Sequence, residues 1–303
     1  MTNTENYMTP AICFGEILWD VLPDGPQPGG APLNVAYHLN KMGVSTSLAS
    51  KIGNDEDGVK LERLLDKWGI KKNLLQKDGE HQTSRVVAKM NNGNEVSYEI
   101  LFPVAWDFIT ESSHVLAAMT PSVYLIYGSL ASRNSVSRST LLKLLESPGI
   151  KVFDINLRPP FFDKDLLKML LKKADIVKFN QAELEMVQIM FGSSHSNESS
   201  QVKFVQDNFN ITEVIVTKGE FGASYYLKDK SYHVWGSEIK VVDTIGSGDS
   251  FLAAFLAGHY LHEEPQDILK SAIAMGAFIA TKKGGCPAYE LADYKEFKSK
   301  MFK

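Results

Sequence analysis

Four short apolar runs, Val123 to Tyr127, Val152 to Ile155, Ile176 to Phe179 and Val214 to Val216, recur through the chain, and helical segments separate most of them. No other feature restricts the fold so much. Runs that are apolar almost throughout belong to strands covered on both faces, and strands alternating with helices build a parallel sheet between helical layers. Ligands of such sheets bind beyond the strand C-termini. Polar residues stand at those ends: Gly128-Ser129, then Asn156 and Arg158, then Asn180 and Glu183, then Thr217-Lys218-Gly219. A fifth run, Ile239 to Val242, is expected to be a strand that delivers Asp243 to Asp249 to the same edge. Phe251 to Leu261 follows as a buried helix. Gly222 to Trp235 reads as two strands about a Lys228-Asp229-Lys230 turn, an antiparallel edge of the sheet.

The N-terminal half departs from this regularity. Met1 to Pro10 is polar and expected to fray. Ala11 to Phe14 is a buried strand ended by Gly15, and Glu16, Asp20 and Asp24 follow among several Pro and Gly. Pro32 suits the first position of a helix over Leu33 to Met42, with Gly43 as its stop. Ser45 to Ile52 reads as a strand and Val59 to Trp68 as a helix. Arg85 to Met90 and Glu95 to Leu101 are strand-like runs joined by Asn91-Asn92-Gly93-Asn94, a strong hairpin signal. A hairpin inside an alternating pattern implies a small sheet standing off the main one. Trp106 and Phe108 after it are candidates to pack on a ring-shaped ligand, or to be core.

Two glycine-bearing turns carry the chemistry. Asp243-Thr244-Ile245-Gly246-Ser247-Gly248-Asp249 opens a helix, and small residues there let the backbone approach a ligand while free N–H groups and the helix dipole favour an anion. Asp249 is either a helix cap or a general base beside a transferring phosphoryl group. The chain has no G-x-x-x-x-G-K-[ST], and Phe251 stands where G-x-G-x-x-G needs its third glycine. Near the N-terminus, Gly29-Gly30 is either a tight turn or, with Asp20 and Asn34, a polyol site.

The 303 residues, 44% apolar, supply a core for one large α/β domain. A net charge of −4 gives no basic field for a nucleic acid, and the longest apolar run, Phe251 to Ala257, is too short to span a bilayer. Two cysteines, Cys13 and Cys286, cannot build a disulfide framework; together with the lack of a signal peptide they point to a reducing cytoplasm.

The late turn resembles the D-T-x-G-x-G-D signature of the ribokinase-like (PfkB) carbohydrate kinases. Gly29-Gly30-Ala31-Pro32-Leu33-Asn34-Val35-Ala36 resembles that family's sugar-binding glycines, in a form most similar to bacterial fructokinases. The resemblance spans nearly the whole chain. It implies a three-layer α/β/α sandwich with a mostly parallel sheet and a small β-sheet lid, in one domain over residues 1–303, with the lid drawn from about 16–30 and 83–105. By the same resemblance Asp249 is the base and Gly246, Ser247 and Gly248 form an anion hole. Asp20, Gly29, Gly30, Asn34 and Arg158 meet the sugar, and Lys218, Gly219 and Gly285 meet the nucleotide. Asn180 and Glu183 match N-x-x-E, which implies Mg²⁺ held through water, although the same spacing makes a good helix cap. Asp243 is implied as a K⁺ ligand; Ala288 replaces a hydroxyl residue that some members carry near that cation. Ala272, Gly276 and Ala277 are small enough for an adenine, or another helix, to pack close.

These expectations describe a kinase using ATP and Mg²⁺ on an uncharged sugar, best fitted by D-fructose, with a homodimer through the lid. Other acceptors on the same fold are ribose, 2-keto-3-deoxygluconate and adenosine. A silent sugar sensor is the rival of a different class, and retention of Asp249 and every loop glycine counts against it.

Overall fold

The computed structural model describes residues 10–22, 25–90 and 96–303. The N-terminal half comprises β1 (Ala11–Phe14), β2 (Leu18–Leu22), β3 (Gly25–Gly29), α1 (Ala31–Lys41), β4 (Thr46–Gly53), α2 (Glu56–Trp68), β5 (Leu75–Asp78), β6 (Ser84–Met90), β7 (Val96–Ile100) and α3 (Ser113–Ala118). Then come β8 (Tyr124–Gly128), α4 (Ser135–Glu146), β9 (Ile150–Asp154), α5 (Lys164–Leu171), β10 (Ile176–Asn180), α6 (Gln181–Met190), α7 (Glu198–Phe209), β11 (Glu213–Thr217), β12 (Ala223–Tyr226) and β13 (Ser231–Val234). The chain closes with α8 (Ser247–Tyr260), α9 (Pro265–Ala280) and α10 (Leu291–Met301).

The continuous apolar runs form the middle of a nine-stranded sheet in the order β13-β12-β11-β10-β9-β8-β1-β4-β5, parallel except where β12 runs against both its neighbours. Alternation along β1 divides the core: Ala11 and Cys13 face a layer built on α1, α8 and α9, while Ile12 and Phe14 face α4, α5, α6 and α7. From β1 the chain passes through α1 to β4 on one side, and from β8 it steps through β9, β10 and β11 on the other. Because crossovers keep one hand, the two directions put their helices on opposite faces, and a crevice opens where β1 meets β8.

A second sheet, β3-β2-β6-β7, stands off the first. Its register puts Asp20 beside Val86 and Val86 beside Ile100, one row across three strands. The Asn91 to Asn94 turn of the expected hairpin, like Met1 to Thr9 and Asp24, lies outside the described residues, but β6 and β7 pair antiparallel on either side of it.

One expectation fails, and one open alternative is decided. Ile239 to Val242 is not a strand: Val241 and Val242 are half exposed, and the Val242 N–H donates to the Ala280 carbonyl at 2.8 Å, at the end of α9. Local β-branched preference yields there to a tertiary hydrogen bond. Trp106 is fully buried with the Arg133 guanidinium 4.0 Å from its ring, so it is core rather than a ligand platform, and Phe108 stacks on His81 at 3.8 Å.

Candidate active site

One cleft of about 1000 Å³ lies where the C-terminal ends of the central strands meet the second sheet. Leu18, Asp20, Val21 and Leu22 of β2 form its wall, with Val86 and Ile100 beside them. Opposite stand Glu16 after β1, Asp154, Asn156 and Arg158 at and after β9, Asn180 at the end of β10, Thr217 at the end of β11, and the turn from Asp243 to Asp249. The turn reaches this edge without the strand expected before it.

Asp243 shapes that turn, its carboxylate accepting from the Ile245 N–H at 3.0 Å and from the Gly284 N–H at 2.9 Å. Gly246 follows in the left-handed region (φ 73°), and α8 starts at Ser247 with no side chain capping it. An uncapped helix start leaves first-turn N–H groups for an anion. Gly246 rests on Gly285, which is itself pressed against the Asn34 amide. His38, neutral because burial pulls it down to about 4, ties the Gly285 carbonyl (2.9 Å) to the Tyr289 hydroxyl (3.0 Å). Helix α1 therefore braces the loop from beneath.

Asp249 does not cap α8. Its Oδ2 accepts from the Asn34 Nδ2 at 2.7 Å, a bond between residues 215 apart in the chain. Withdrawal from bulk water, then the nearby Asp154, raises its carboxyl to about 6. Asp20 is raised to about 6 by burial and by Asp249 and Asp243. Gly29 packs on the Asp20 carboxylate and Gly30 (φ 107°) on the Glu16 backbone, positions at which a Cβ would collide.

Lys178 and Asp154 are direct neighbours in the β10–β9 register, and the ammonium donates to both carboxylate oxygens at 2.9 Å. The pair is buried, and the neighbouring carboxylates outweigh desolvation and keep Lys178 charged. Its Nζ lies 3.5 Å from where a Cβ on Gly248 would stand. A charged residue inside the apolar run from Ile176 to Phe179 is the sequence signal that could have marked it.

Asn180 and Glu183 form a reciprocal cap of α6: Asn180 Oδ1 accepts from the Glu183 N–H (2.8 Å), and Glu183 Oε2 accepts from the Asn180 N–H (2.9 Å). Glu183 Oε1 accepts from the Leu157 N–H at 3.1 Å, so each oxygen has one backbone donor and a lone pair left for water. The cap is present, and the pair still lines the cleft. Gly219 and, further along, Gly276 and Ala277 line it too, whereas Ala272 is buried in the core. Lys218 and Gly285 do not. The Lys218 ammonium is drawn off to Glu198 and Ser224, and Gly285 serves as the ledge under Gly246. Arg158 is exposed at the rim, its charge acting on Glu16, Asp20 and Asp249. Cys13 and Cys286 are free thiols, and Cys286 donates to Asn34 Oδ1 at 3.2 Å. Among the described residues no helix is long and apolar enough to cross a membrane.

The description "pfkB family carbohydrate kinase" matches residues 25–291 of this chain. Fructokinase-2 of Solanum lycopersicum is 29% identical over 312 residues, covering 93% of each chain. Fructokinase of Escherichia coli is 26% identical over 295 residues, covering 91% of this chain and 94% of its own. Among solved structures, fructokinase from Vibrio cholerae O395 in its fructose-, ADP- and calcium-bound form superposes with a TM-score of 0.81 at 26% identity, over 96% of this chain and 99% of that one.

Proposed function

This chain belongs to the pfkB family of carbohydrate kinases and is a sugar phosphotransferase, and from that premise we propose that it moves the γ-phosphoryl group of ATP to a hydroxyl of an uncharged sugar, D-fructose, yielding fructose 6-phosphate. The observation that carries the reading is the Asp249 carboxylate, oriented by Asn34 beside the uncapped start of α8.

The sugar lies under the second sheet against Asp20 and the backbone at Gly30, and ATP extends past Gly219 toward Gly276 and Ala277. Asp249, ionised above about pH 6, takes the hydroxyl proton; the new O–P bond forms as the β,γ-bridging bond breaks and ADP departs. N–H groups at Gly246, Ser247 and Gly248, with Lys178 and Arg158, offset the charge on the phosphoryl group. Asn34 holds the base through one N–H of its amide while its Oδ1 accepts from Cys286, and the second N–H is left for a sugar hydroxyl. Residues 1–303 work as one domain, the second sheet serving as a lid that excludes water.

Asn180 and Glu183 fit a Mg²⁺ held through water, since each Glu183 oxygen keeps a lone pair and no group of three or more His, Cys, Asp or Glu positioned for direct ligation occurs among the described residues. That ion would neutralise phosphate charge. A K⁺ at Asp243 would share the carboxylate with the Ile245 and Gly284 amides.

Charge argues for a neutral acceptor. Carboxylates along the cleft outnumber its two cations among the described residues, Arg158 and Lys178, and Lys178 shares its charge with Asp154. Arg85 is held by Asp57, and Lys89 lies where side chains are outside the described residues. A phosphorylated sugar beside Asp20 would meet repulsion of about 4 kcal/mol per charge pair at ~4 Å and an effective dielectric near ~20. Steady-state ADP release should give kcat/KM for fructose roughly tenfold or more above that for fructose 6-phosphate, ribose and adenosine. Preference for a phosphorylated sugar would sink the charge argument, and preference for adenosine would make this a nucleoside kinase.

A further inference from the structure

We propose that Glu16 determines acceptor specificity: its free carboxyl oxygen takes the hydrogen of one sugar hydroxyl other than the hydroxyl that is phosphorylated. This rests on reading the cleft as a sugar kinase site. Glu16 follows Gly15 at the C-terminal end of β1, the strand at the crevice, and is only 3% exposed although it lines the cleft. The backbone N–H groups of Glu16 itself and of Ala31, at the start of α1, bear on its carboxyl and oppose part of the rise that burial causes. Oε2 has no hydrogen-bond partner among the described residues.

A buried carboxyl oxygen without a donor is costly, and native structures seldom keep one unless something else supplies the donor. Among the described residues no side chain supplies it. The groups whose charges reach it are Asp249, which repels it, and Arg158, whose guanidinium donates to the Leu157 carbonyl. Gly30 lies on the Glu16 backbone and Cγ, and both residues line the cleft. A polyol brings the missing donor there. Metal ligation fits worse, because no group of three or more His, Cys, Asp or Glu suited to an ion occurs among the described residues. The base role is taken, since Asp249 is the carboxylate that Asn34 orients.

Glu16→Gln makes a sharp test. Only the amide oxygen can accept from the Ala31 N–H, so the NH₂ falls where Oε2 was and an acceptor becomes a donor. Burial pushes the Glu16 carboxyl up to about 7, so the assay belongs near pH 8, where the oxygen accepts. KM for the preferred sugar should rise roughly tenfold or more, with KM for ATP and Tm near wild type. Monodeoxy analogues of that sugar locate the contact: one should lose roughly tenfold in kcat/KM with wild type and show no such loss with Glu16→Gln. Equal losses with both proteins across the whole series, or an unchanged sugar KM, would overturn the inference and leave Glu16 as a prop for α1. If Glu16→Gln does not fold, Glu16→Asp, which keeps the acid but withdraws the free oxygen, is expected to give the same pattern. Wild type turning over no sugar would overturn the functional reading as well, whereas good wild-type turnover with a flat deoxy series overturns the Glu16 role alone.

Discussion

Asp249→Asn should lower kcat by about 10² to 10⁴ while sugar KM changes little. The substitution keeps shape and keeps an oxygen to receive the Asn34 amide, now at 2.7 Å from Asp249 Oδ2, so the loop and α1 stay joined. It removes the basic lone pair, and the acceptor hydroxyl meets an amide that cannot take its proton. Wild type carries a second signature of the same group. Because burial and Asp154 hold the Asp249 carboxyl at about 6, kcat/KM should fall about tenfold per pH unit below that value and level off above it. Near wild-type kcat in the Asn variant would remove Asp249 from proton transfer and leave it as a tie to Asn34.

Gly248→Ala should lower kcat by about 10² to 10³ with Tm close to wild type. The fold has room for the methyl group: the nearest atom it meets is the Lys178 Nζ at 3.5 Å, an ordinary contact. The space filled is that between the first turn of α8 and the ammonium, where the phosphoryl charge is to be held. Gly246→Ala is the contrast, because φ is +73° and the new Cβ would lie 2.5 Å from the Gly285 Cα. That variant should lose Tm as well as turnover, since the loop must leave its ledge. Thermal melts and single-turnover rates on both proteins separate the cases. If Gly248→Ala melts early while its folded fraction stays fully active, the glycine matters for folding and not for the phosphoryl group.

The main sheet was legible because its strands are read from contiguous apolar residues, a local property that burial on both faces enforces. The smaller sheet was legible in part. Its β6–β7 hairpin follows from the spacing of two strand-like runs, but β2 and β3 lie in a Pro- and Gly-rich stretch, and β2 pairs in parallel with β6, a contact distant in sequence. Ile239 to Val242 misled for the same reason in reverse: the Ala280 carbonyl that captures Val242 is supplied by α9. The site divides likewise. Asp249, Asn34, Asp20 and the glycines stand in recognisable turns, whereas the Asn34–Asp249 bond and the Asp154–Lys178 pair exist only once strands are in register. The pairing of the Lys218 ammonium with Glu198 was not legible, because Glu198 belongs to another element.

Glu16, Asp20 and Asp249 have one more consequence, and it concerns folding rather than chemistry. Each carboxyl is raised in the folded protein, to about 7, 6 and 6, chiefly by loss of water. An acid raised in the native state favours folding below its unfolded value and withdraws that contribution as pH rises through the native one. Between about pH 4 and pH 7 the empty protein therefore gives up stability at this cleft with every proton released. At neutral pH it holds the acids in a strained resting state, which a bound polyol relieves by supplying hydrogen-bond donors. Sugar should thus protect the fold more strongly at pH 8 than at pH 5, a difference read from Tm with and without sugar at the two pH values.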